Sequence, residues 1–202
     1  MANYTREFLT TKHKHYQEKI SDWAFHYRSY TGGQDYQNGF LLNRYVLETD
    51  EEYMKRAENT AIDNHCKNVV QIYSSFLFRV PPTRNYGSLD GDPAVRSFTK
   101  DADLDGRSFD AFLRDLSAYT MVYGNCWVIV DKSNIQVGTR AEELQQGLRP
   151  YVSLFTPDNV LDWQYKRQPN GLYTLTYLKV KEEVIENVQY IREYTPTEIN
   201  VY

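Results

Sequence analysis

Cysteine is scarce: Cys66 and Cys126 stand far apart in 202 residues without a CxxC spacing. Neither a disulfide framework nor a zinc knuckle is expected, and both read as buried thiols. Long apolar runs are missing as well. No window approaches the ~18 residues of a membrane span, and the opening MANYTREFLTTKHKH lacks an apolar segment of secretory length. A start in the cytoplasm and no membrane partner are therefore expected. Positive charge is not in excess, since 23 Lys and Arg face 27 Asp and Glu, for a net charge of −4. That balance argues against gripping nucleic acid through a basic surface, though not against letting DNA pass. Neither a glycine-rich phosphate loop nor a GxSxG elbow occurs, so the commonest nucleotide and acyl-transfer signatures are absent and no enzyme is expected.

What is present is an aromatic, helix-and-strand chain. Aromatic residues make up 15% of it, with 18 Tyr, a residue suited to half-buried surfaces because its ring packs while its hydroxyl stays wet. A first helix is read over 11–30, with Tyr16, Ile20, Trp23, Tyr27 and Tyr30 on one face and Gly32 and Gly33 ending it. Thr49 and Glu52 form a capping box, behind which Asp50, Glu51 and Glu52 suit the first turn of a helix. An apolar pattern resumes at Ile62, Cys66, Val69, Val70, Tyr73, Phe76 and Leu77, predicting one long helical segment that ends near Phe78, before Pro81 and Pro82.

The stretch from Asp101 to Asp131 carries the clearest pattern. Phe109, Phe112, Leu113, Leu116, Tyr119 and Tyr123 share a helix face, Ser108 caps its start, and Gly124 ends it. Cys126 to Val130 then reads as a strand covered on both faces, with Trp127 and Val128–Val130 in a central core. A short helix at 140–146 and strands at 151–155, 160–165, 172–180, 190–194 and 198–202 follow, with Asn170-Gly171 as a hairpin signal. Together these predict an α+β fold of N-terminal helices packed with a mixed or antiparallel sheet. The loop 84–92 marks a division into a helical part, 1–90, and an α+β part, 91–202. The final strand still alternates at Tyr202, so a longer protein is expected to continue beyond it.

Candidate sites are few. Asp101-x-Asp103-x-Asp105-Gly106 matches the first half of an EF-hand loop, but Phe112 stands where the bidentate Glu belongs. An Asp-rich turn before the Ser108 helix is the favoured reading. His13, His15, His26 and His65 show no ligand spacing. Pro157-Asp158 lacks the Glu-x-Lys that would complete a metal-dependent nuclease motif, so it is read as a turn. Trp23, Phe25, Tyr27 and Tyr30 could stack bases or sugars, yet Trp23, Tyr27 and Tyr30 keep helical spacing, which suits core or subunit contact. No catalytic, cofactor or metal residue is assigned.

The chain runs in order through Tyr30-Thr-Gly-Gly, Leu42 to Tyr45, the acidic cap TDEEYMKRAENT, FLFRVPPT, DLDGRSFDAFLRDLSAYTMVYGNCWVIVD, PYVSLFTPDNVLDW and YIREYTPTEINVY. This order of segments resembles that in the N-terminal half of tailed-bacteriophage portal proteins. The resemblance implies a wing-like body in a ring, usually dodecameric, at one capsid vertex. Its implied partners are other copies of the chain, capsid protein, terminase, a tail adaptor, and double-stranded DNA passing through without sequence recognition. It implies location in the virion, and in the host cytoplasm during assembly, with stem and clip beyond Tyr202. The alternatives are a metal-dependent nuclease using Asp101, Asp103 and Asp105, and a nucleic-acid or carbohydrate-binding module. A closed ring uses different patches on its two sides, and the aromatic first helix around Trp23 and Tyr30 is the expected contributor to one.

Overall fold

A computed structural model of the chain describes residues 8, 10–38, 42–61, 63–133 and 135–202. The architecture is α+β. Helices α1 (Lys14–Thr31), α2 (Gly33–Asn38), α3 (Asp50–Asn59), α4 (His65–Leu77), α5 (Pro93–Lys100) and α6 (Phe109–Tyr123) precede strand β1 (Trp127–Lys132) and helix α7 (Arg140–Gln145). Strands β2 (Pro150–Phe155), β3 (Val160–Arg167), β4 (Tyr173–Ile185), β5 (Val188–Tyr194) and β6 (Ile199–Val201) complete the order. The chain divides into two compact units, one of residues 1–26 with 155–202, the other of residues 27–154.

In the first unit, β3, β4, β5 and β6 form an antiparallel sheet in sequence order. The β3–β4 connection is a type I turn rather than the two-residue turn that Asn-Gly alone suggests. Pro169 fixes its first corner, the amide of Gly171 donates to the carbonyl of Gln168 at 2.9 Å, and Gly171 takes φ 85° where a side chain would strain. The β4–β5 turn uses Glu186 and Asn187, both at positive φ, and carries no glycine to announce it. Val160, Leu161, Leu178 and Val180 are buried here. Lys179 is also buried, at 1% exposure, and its ammonium donates to the carbonyls of Phe8 (2.9 Å) and Thr11 (2.6 Å). Burial lowers its pKa from the usual lysine value.

The second unit is built on α6. Ser108 Oγ accepts from the amide of Ala111, Gly124 ends the helix at φ 84°, and Phe112 anchors a core with Ala102 and Val152. Phe98, Phe109, Leu113, Leu116 and Leu154 pack around these three. The division expected near residue 90 falls inside this unit, where α4 packs on α6 and Arg84 pairs with Asp110.

Several expectations give way. The single helical segment over 50–78 is two helices, because Thr60 ends α3 and Asn64 caps α4, its Oδ1 accepting from the amide of Lys67 at 2.8 Å; Ile62 lies outside the described residues, as does Gly39. Gly33 does not end helical structure but begins α2, and α1 starts at Lys14 rather than residue 11. Helix α5 is an element the sequence reading missed. Asp92 caps it through the amide of Ala94, and Pro93 suits its first turn. Strand β1 is not doubly covered. It pairs with β2 in a two-stranded sheet, and its burial alternates, so that Trp127 and Ile129 are half-buried while Val128 and Val130 face water. Cys66 is exposed and Cys126 half-buried, so neither is the buried thiol expected.

Candidate interaction surface

The sequence-derived candidates are occupied by structural work. Asp101 Oδ1 accepts from the amide of Gly106 at 2.9 Å, and its Oδ2 pairs with Arg149 at 2.7 Å. Asp103 Oδ1 accepts from the amides of Asp105 (3.0 Å) and Arg107 (3.2 Å), while its Oδ2 lies 3.3 Å from the Arg107 guanidinium. The loop between α5 and α6 is therefore the Asp-rich turn read from the sequence. It holds Ala102 at 0% exposure, with that residue's carbonyl accepting from the amide of Val152 in β2. Helix α5 precedes Asp101. Among the described residues, no three His, Cys, Asp or Glu side chains group in a way that would hold a metal ion.

The histidines serve as ring contacts or surface groups. His13 stacks on Trp163 at 4.0 Å, and His15 lies edge-on to Trp23 and Trp163. His26 borders Phe25, and His65 opens α4 in solvent. Asp158 sits in the 3-10 turn Pro157–Asn159, where its carbonyl accepts from the Tyr16 hydroxyl at 3.1 Å and its Oδ1 is buried without a hydrogen-bond partner among the described residues. The aromatic face of α1 is covered only in part: Tyr16 and Trp23 are buried, Tyr30 is half-buried and Tyr27 is exposed. Trp23 is buried against Tyr16, and Tyr27 stacks on Tyr123 at 6.0 Å. Of the two residues expected to centre a subunit contact, Trp23 packs its ring against Tyr16 and His15 and is 4% exposed, while Tyr30 stays half-buried.

The apolar surface that does face water lies on α4 and the segment after it. Val69, Ile72, Tyr73, Phe76, Leu77 and Val80 follow the i, i+3, i+4, i+7 spacing of a helix face made for burial, yet they are 51 to 73% exposed. No residue of α4 is buried, and the side that meets α6 leaves this stripe uncovered by any described element. A groove of ≈ 610 Å³ runs along it, lined by Asn68, Gln71, Ile72, Ser75, Phe76 and Arg79.

A second anomaly escaped the sequence reading. Val46 and Leu47, at the tip of a turn, are 99% and 94% exposed. The turn beneath them is held firmly. The amide of Glu48 donates to the carbonyl of Tyr45 at 3.1 Å, and Arg56 grips the Glu48 carboxylate with two bonds, of 2.7 and 2.9 Å. Arg44 donates to the Glu48 carbonyl at 2.7 Å, and the Arg56 guanidinium lies 4.8 Å from the centre of the Tyr45 ring. The signal for this clamp is the Thr49 capping box, which does form, but the arginine eight positions beyond Glu48 has no local spacing rule to mark it.

Among the described residues no helix is long and apolar enough to cross a membrane. No protein-family model matches the chain, and no curated protein matches it.

Proposed function

We propose that the chain is the wing-like body of a portal subunit, a structural protein that assembles into a ring at a capsid vertex, through which DNA enters and leaves. The observation that carries this reading is the apolar stripe of α4. Monomers rarely leave so regular a face in water, and a chain whose working state is an assembly does. The order of sequence segments supplies the identity of the assembly, and the net charge of −4 suits a conduit that must release DNA rather than hold it. Contacts with capsid protein, terminase and tail adaptor follow from the same reading. The native mass of the particle tests it: a closed ring of more than two copies is expected, and monomers or two-fold dimers alone contradict it.

A further inference from the structure

We propose that Phe8 and residues 10–13 form a strap closed over the polar face of the β3–β6 sheet, that this strap opens without unfolding the unit it belongs to, and that Lys179 is the latch that holds it shut.

Strand register says which face the strap covers. Lys179 on β4 stands directly opposite Asp162 on β3 and Glu193 on β5, and residues opposite one another, or two apart along a strand, share a face. That face carries Asp162, Gln164, Tyr177, Lys179, Glu193 and Asn200, while Val160, Leu178 and Val180 are buried on the other. A lysine so placed has two carboxylates across from it. Its ammonium reaches instead to the carbonyls of Phe8 (2.9 Å) and Thr11 (2.6 Å), and lies 4.9 Å from the centre of the Phe8 ring. The carboxylates have other donors: Asp162 Oδ1 accepts from the amide of Trp163 at 2.9 Å, and Glu193 Oε2 from the Tyr202 hydroxyl at 2.8 Å. The Phe8 ring meets Tyr202 edge-on at 5.4 Å. At the other end of the strap, the amide of His13 donates to the carbonyl of Leu161 at 2.9 Å, and the His13 ring stacks on Trp163.

Closure over a charge is finely balanced. Bonds from an ammonium are strong, but enclosing one at 1% exposure strips its water, and the two effects are of similar size. Burial outweighs the pull of Asp162 and Glu193 and depresses the Lys179 pKa, as it does for a charge that has lost solvation. Lifting the strap returns the ammonium to water beside those two carboxylates and wets a face that is already polar. The apolar side of the sheet, with Val160, Leu178 and Val180, keeps its packing, so this opening lies below global unfolding in free energy.

Two measurements on the whole chain test the strap. The first is acylation of the Lys179 amine by an N-hydroxysuccinimide ester, read by mass spectrometry with the exposed Lys166 as reference. Its rate should stay flat in urea below the unfolding transition, and Phe8→Ala, which removes the ring beside the ammonium, should raise it about threefold. The second is hydrogen exchange in Lys179→Met, which leaves the carbonyls of Phe8 and Thr11 without this donor. The amides of residues 10–13 should exchange about tenfold faster, with those of Leu178 and Val180 unchanged. Acylation of Lys179 that tracks the global unfolding transition overturns the opening. Exchange at residues 10–13 that is unmoved by Lys179→Met, or quickened equally in β4, overturns the latch. Should Lys179→Met fail to fold, an acylation rate unchanged in Phe8→Ala decides against the strap by itself.

Discussion

Carboxylates crowded at Asp101, Asp103 and Asp105 repel one another unless each finds a donor or a cation. Here backbone amides, Arg107 and Arg149 supply the donors for Asp101 and Asp103. Calcium added at micromolar concentration is accordingly expected to leave the melting temperature unchanged, whereas a rise of several degrees would mean that the native state binds it. Glu48 behaves differently with pH. The hydrogen bond from Arg56 outweighs the opposing effect of burial and holds the carboxyl below its usual value of 4.5. A carboxyl depressed in the folded state stabilises it fully above that usual value, and the contribution disappears as pH falls through the folded value. Glu48→Gln should therefore flatten the acid limb of stability in melts taken below pH 4.5, and an unchanged limb would show that the clamp contributes nothing.

At the scale of elements, α6 was legible because every signal for it is local. Ser108, Gly124 and the apolar spacing between them all lie within the helix or next to it. The strand after it was only half legible. Four apolar residues in a row announce a strand but do not say what lies on either side, and among the described residues β1 pairs with β2 in a two-stranded sheet. Helix α4 taught the same lesson more sharply: its periodicity marks the face that will be covered, while coverage depends on a partner that the spacing of one chain does not specify. Helix α5 was missed because its signals, Asp92 and Pro93, sit in a stretch whose Gly and Asp content reads as loop. These placements have a stability consequence. Phe112→Ala, at a site 2% exposed, should cost about 3–5 kcal/mol, while Ile129→Ala on half-buried β1 should cost only about 1 kcal/mol. Urea melts giving Ile129→Ala the larger loss would place the core on β1 after all.

For the molecule as a whole, two compact units carry their own cores, yet one of them leaves an ordered apolar stripe and an ordered apolar knob in water. A chain that worked alone would gain by making both polar, at little cost to its core. Such surfaces are what contact with another chain would cover. The most direct measurement is the native mass of the purified protein across a concentration series. The account predicts one discrete closed species, an integer multiple greater than two of the 23.8 kDa subunit. Monomer at every concentration, or a species that stops at two copies, would contradict it.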